Sequence, residues 1–156
     1  MKVSLVVVGK TDFRFVEEGE TMYSERISRY VSFERIVIKD VKNRKSLEKM
    51  QIKKLEGIEI MAKIQPGDYV VLLDDKGKEF NSTGFSGFIE SKINVPKRLV
   101  FVIGGAYGFS DEVYMKSNEK LSVSKMTFSH QIVRIIFLEQ LYRAFTIIKG
   151  EPYHHE

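Results

Sequence analysis

Four short apolar runs recur along the chain, and each gives way to a stretch in which apolar residues return every three or four positions. KVSLVVV (2–8), ERIVI (34–38), YVVLLD (69–74) and RLVFVI (98–103) are close to continuous in hydrophobicity, which predicts strands buried on both faces of a sheet. Between them, Val16, Tyr23, Ile27 and Tyr30 predict an amphipathic helix over 12–31. Leu47, Met50, Ile58, Met61 and Ala62 predict a second over 42–63, broken by Pro66 and Gly67. DDKGKEF reads as the turn after the third strand. Ser82 is placed to cap a helix bearing Phe85, Phe88, Ile89 and Ile93, with Pro96 as its stop. A short helix over about 110–118, an extended KLSVS and a last helix over about 129–148 follow, closed by Gly150 and Pro152. This alternation predicts an α/β protein, one domain over residues 1–156, with a mainly parallel sheet flanked by helices.

With 43% hydrophobic residues the chain can bury a real core. It has no cysteine, which excludes a disulfide framework and a thiolate metal site. No metal is expected from the histidines either, since none form a pair at helical spacing. The basic, then apolar start MKVSLVVVG is too short for a secretory signal, and no run approaches a membrane span, so a cytoplasmic protein is expected. A net charge of +4 leans mildly towards a polyanionic partner.

Candidate chemistry gathers in the last third. Gly104, Gly105 and Gly108 follow the fourth strand, where parallel sheets bind ligands, though a tight turn explains them as well. They form neither a dinucleotide fingerprint, which belongs after the first strand, nor a phosphate loop. The tract LSVSKMTF, 121–128, mixes hydroxyls, backbone amides and apolar groups. That suits a purine read by main-chain hydrogen bonds, or a half-buried connection. The last helix is apolar nearly all round, which predicts a face shared with a second subunit. On it Glu139 and Arg143 can pair, and Arg134 could hold a phosphate or form an ion pair. His130 and His154 suit proton transfer, although His154 and His155 also fit a disordered tail. KNRKSLEKMQIKK, 42–54, holds six basic residues against one acid; it reads as a solvated helix face or as a track for a phosphate backbone.

Taken in order, VVVGK, IGGAYGF, LSVSKMTFSHQIVR, EQLYRAF and GEPYHHE resemble the ribosomal large-subunit pseudouridine methyltransferases of the SPOUT superfamily, the knotted methyltransferases. The resemblance spans essentially the whole chain. Ser129 departs from it, proline being common before the His-Gln pair; serine can still cap the helix. Ala106 and Tyr107 fall at variable positions of the glycine loop.

The resemblance implies a six-stranded α/β sheet with a C-terminal trefoil knot, a rare exception to unknotted chains. It implies S-adenosylmethionine as cofactor, held by Leu73, Gly104, Gly105, Gly108, Val123, Ser124, Lys125, Met126, Thr127 and Phe128. It implies a homodimer with the site at the interface, methylating nitrogen 3 of a pseudouridine in large-subunit ribosomal RNA, within an assembled ribosome. By the same likeness His154 becomes the candidate general base, Tyr153 positions the nucleobase, and His130 and Arg134 hold phosphate or base carbonyls. Two rivals stay open: an RNA-binding or ribosome-associated protein with the same fold and no catalysis, and a flavodoxin-like nucleotide enzyme. The late position of the glycine loop counts against the second.

Overall fold

The computed structural model describes residues 1–95 and 97–155. The helix stop expected at Pro96 lies outside the described residues, as does Glu156. In chain order the elements are β1 (Lys2–Val8), α1 (Arg14–Ile27), β2 (Ser32–Ile38), α2 (Lys49–Lys63), β3 (Asp68–Glu79), α3 (Ser82–Lys92), β4 (Arg98–Ile103), α4 (Asp111–Lys116), β5 (Glu119–Ser122) and α5 (Ile132–Ile148). The strands lie in the order β2-β1-β4-β3-β5, with every pair parallel.

The hydrophobic runs take the middle of the sheet, and side chains alternate across it. Val3, Leu5, Val7, Leu99, Phe101 and Ile103 face α1, α3 and α5, where Ile27, Phe85, Phe137, Leu138, Leu141 and Phe145 cover them. Val6, Val8, Val70, Leu72, Val100 and Val102 face the other way, onto Ile60 of α2, Val113 of α4 and Phe109. Each such side chain, fully buried, contributes about 1.5–3 kcal/mol. At the amino edge Arg98 closes the sheet: its guanidinium binds Asp68 at 2.6 Å and the Lys63 carbonyl at 2.7 Å.

Five strands, not six, pair among the described residues. Past β5 the chain satisfies its polar groups locally and joins no strand: Ser122 Oγ donates to the Ser124 carbonyl, and Ser124 Oγ accepts from the Met126 amide. DDKGKEF is not a free turn either. It extends β3 to Glu79 with a shift of register between Leu73 and Lys78, so the strand regains β5. Gly77 permits this, because a Cβ there would lie 2.5 Å from the Leu121 amide nitrogen. Asn81, not Ser82, caps α3, accepting from the Gly84 amide at 2.7 Å. The second helix starts only at Lys49. Asn43, at φ 55°, and a short 3-10 turn over Arg44–Ser46 break the pattern before it. Ser129 does meet the start of α5, its Oγ accepting from the Ile132 amide at 3.2 Å.

α5 ends as a Schellman turn. Gly150, at φ 67°, donates to the Ile147 carbonyl, and the Glu151 amide reaches back to Thr146 at 2.9 Å. The tail thereby folds back onto the helix. One face of α5 is buried in the core. On the opposite face Ile132, Ile136, Glu139 and Arg143 form a half-buried stripe at helical spacing.

Candidate active site

The carboxyl ends of β3 and β4 open into a cleft of about 370 Å³. Its floor is the glycine loop. Gly105 and Gly108 bridge each other, and Gly108 takes φ 83°, which glycine adopts at little cost. Phe109 tucks under Gly104, so that a Cβ on Gly104 would meet its ring at 3.0 Å. Beneath Gly105 lies Glu56 of α2. Its buried carboxylate accepts the Gly105 amide and sits 3.7 Å from Arg44. Burial pushes this carboxyl above the ordinary range, against the pull of Arg44.

The facing wall is the stretch from Leu121 to His130, and the rim includes Asp74 and Asp75 from the extension of β3. Burial raises the Asp74 carboxyl, but the Tyr114 hydroxyl and the Lys76 amide, both donating to it, hold it below the usual carboxylate value. His130 is shifted down as well, here by burial itself. The cations of Arg134 and Arg44 add to this, which favours the neutral ring.

Leu73, Gly104, Gly105, Gly108, Val123, Ser124, Met126, Thr127 and Phe128 all line the cleft, as does His130. Lys125 does not; it is exposed outside it. Arg134 is no open phosphate holder. It is fully buried and donates to the carbonyls of Val8, at 2.7 Å, and His130, at 3.1 Å, and to Thr11 Oγ1. It thus ties the end of β1 to the start of α5.

Tyr153 and His154 lie away from this cleft, against the outer stripe of α5. The expected Glu139–Arg143 pair is present at 2.5 Å. Tyr153 Oη donates to Glu139 at 3.0 Å, and Arg143 lies 4.8 Å from the centroid of the tyrosine ring. Arg143 also meets His154 Nδ1 at 3.1 Å. A guanidinium can only donate, so Nδ1 is the acceptor in this contact. Burial, with hydrogen bonds to Tyr23 and Glu139, pushes the Tyr153 phenol far up, so it stays protonated. The tail is therefore built onto the helix.

Sequence reasoning missed Asp74, Asp75, Phe109 and Glu56. The first two stood at a strand end but were read as turn. Glu56 showed itself only as an acid among Ile52, Gly57 and Ile60 on the apolar face of α2. Among the described residues no group of three or more potential metal-ligating side chains comes together.

A nucleotide-sized cleft at the carboxyl edge of a parallel sheet, walled by the segment that leads back into a C-terminal helix, is a small-molecule site of an α/β protein, and the match to a family model supplies the class: a knotted methyltransferase. The chain belongs to the SPOUT methyltransferase family. The family model described as "Predicted SPOUT methyltransferase" matches residues 1–154, and the fold is accordingly the α/β knot. The chain is similar to "Ribosomal RNA large subunit methyltransferase H" of Parabacteroides distasonis, 56% identical over all of both chains. It is 53% identical to the protein of the same name from Christiangramia forsetii over 99% of each, and 52% identical to that of Bacteroides thetaiotaomicron over all of both. Among solved structures, a probable methylase family protein from Haemophilus influenzae shares the fold. Its TM-score is 0.54 at 10% identity, over 99% of this chain and 70% of that one.

Proposed function

We propose that this protein is an S-adenosylmethionine-dependent methyltransferase that modifies nitrogen 3 of a pseudouridine in large-subunit ribosomal RNA. The observation that carries this is the cleft at the strand ends, which combines an apolar wall, a glycine loop and a pair of carboxylates. When bound, S-adenosylmethionine supplies a methyl group already activated on a positive sulfur. The residues present fit it. Leu73, Ile103, Leu121, Val123 and Met126 offer apolar surface to a purine, and Gly104, Gly105 and Gly108 allow close backbone approach. Asp74, ionised at neutral pH, and Asp75 suit a cationic ligand.

The chain's own part is alignment and removal of a proton. The ring nitrogen must lose its hydrogen to attack. His130 lines the cleft as a neutral imidazole and can accept it. Tyr153 and His154 suit the nucleobase, as an aromatic ring and an imidazole held side by side on α5. This moves the general base from His154 to His130 and removes Arg134 from substrate contact. Tyr153 and His154 share the stripe of α5 with Ile132 and Ile136. A homodimer packed through that stripe brings the tail of one protomer towards the cleft of the other. The relatives' names support large-subunit ribosomal RNA as substrate; our reading adds an assembled particle in the cytoplasm as the target, with residues 1–156 acting as one domain.

Calorimetry with S-adenosylmethionine, followed by labelled methyl transfer to large subunits lacking the modification, tests this across pH. Binding is expected, with transfer rising along a limb below the ordinary histidine pKa, because folding lowers that of His130. His130→Ala should abolish the limb. His154→Ala should lower the rate at every pH and keep it; the reverse pattern returns the base to His154. RNA binding with no cofactor heat would favour the non-catalytic alternative.

A further inference from the structure

The basic run 42–54 takes no part in the cleft lining, yet it stands beside it. β2 and β4 both pair parallel with β1, so the segments that leave their carboxyl ends emerge on one edge of the sheet. They touch through Tyr107 of the glycine loop, 39% exposed. The Arg44 guanidinium and the Lys49 Nζ each lie 5.3 Å from its ring centroid. Arg44 also reaches Glu56, which holds the Gly105 amide. One arginine thus joins the basic segment to the cleft floor. Around it Lys42, Lys45, Lys49 and Lys54 are exposed and Lys53 half-exposed. Among the described residues none of the five makes an ion pair within 4.0 Å, whereas Lys2, Arg35 and Arg98 elsewhere do. The nearby acids Asp40 and Glu48 leave the segment strongly positive. Unpaired like charges repel one another, and a polyanion laid along them relieves this by releasing its counterions.

We propose that Lys42, Lys45, Lys49 and Lys53, anchored by Arg44, form a ridge that binds the RNA phosphate backbone beside the nucleotide to be methylated, an inference that rests on the ribosomal RNA substrate proposed above. The ridge sets where the strand runs, and the cleft sets where the base goes.

The test is a triple variant, Lys42→Gln, Lys45→Gln and Lys53→Gln, which leaves Arg44 and Lys49 on Tyr107. Its control is Lys63→Gln with Lys97→Gln, at the amino edge of the sheet. Equilibrium binding is measured against purified large subunits and against protein-stripped large-subunit RNA. The triple variant should bind both at least ~10-fold more weakly at about 0.15 M salt, with the log–log salt slope shallower by about 2 to 3. Cofactor affinity and melting temperature should hold, and methyl transfer should show a raised KM with kcat kept. Unchanged affinity and slope overturn the ridge. So does an equal loss per lysine in the control, which would make the effect net charge alone. Weaker binding to subunits but not to stripped RNA also overturns it, in favour of an acidic ribosomal protein. If wild type binds RNA through the ridge and transfers no methyl, the ridge stands and the reaction falls.

Discussion

At Gly105 a Cβ atom would lie 2.4 Å from Glu56 Oε2 and 2.7 Å from Oε1. A side chain there would have to displace the carboxylate beneath it, as well as crowd a ligand above. Gly105→Val should cost about 1–3 kcal/mol of stability as an overpacking change. It should weaken S-adenosylmethionine binding at least ~10-fold, because the loop must lift. Thermal melting and calorimetry read the two effects. Normal binding in a folded Gly105→Val protein would show that the cofactor does not rest on this loop. Residues of this kind were legible where rule and chemistry coincide: glycines at a strand end, hydroxyls before a helix. Arg134 was not. A sequence does not tell a guanidinium facing a pocket from one bonded to two buried carbonyls. Asp74 and Asp75 were hidden by a reading of DDKGKEF as turn, which only the pairing of β3 with β5 corrects.

Among the elements, α5 and its tail separate cofactor binding from substrate chemistry. Glu139 and Arg143, which hold the tail, stand about 10 and 16 Å along the axis from Ile132, at 1.5 Å per residue. Deletion after Gly150 should therefore lower the melting temperature by no more than the loss of the tail's bonds to α5 and leave S-adenosylmethionine affinity nearly unchanged, since no described tail residue lines the cleft. Methyl transfer should fall by at least ~10²-fold, as positioning of the base is lost. Loss of cofactor affinity in the truncated protein would instead show the tail closing over the cleft. The helix itself was plain from its apolar run. That the tail folds back on it was not, because the Schellman turn at Gly150 depends on bonds to Ile147 and Thr146 that no spacing announces.

At the scale of the whole molecule, the outer face of α5 leaves an apolar stripe half covered, at Ile132 and Ile136. Ile136→Asp should give a monomer by light scattering at micromolar concentration, with a melting temperature close to the parent and methyl transfer lost. An active monomer would mean that each chain completes its own site. The parallel pairing of the strands was readable, since buried apolar runs point to a parallel sheet; their order was not. The knot was not; periodicity carries no information on which segment threads which, and only kinship supplied it.

Synthesis adds a constraint of its own. The face of the sheet formed by Leu5, Leu99 and Phe101 is covered by Phe137, Leu138, Leu141 and Phe145, which are among the last residues made. From Ile103 to Ile148 is 45 residues, about 2 to 9 s at 5–20 residues per second. For that interval the growing polypeptide shows a bare apolar surface beside the machine that is making it. A message cut short before codon 132 would release a chain unable to close its core. Such fragments belong to the chaperones and proteases, and only a finished polypeptide carries a closed core.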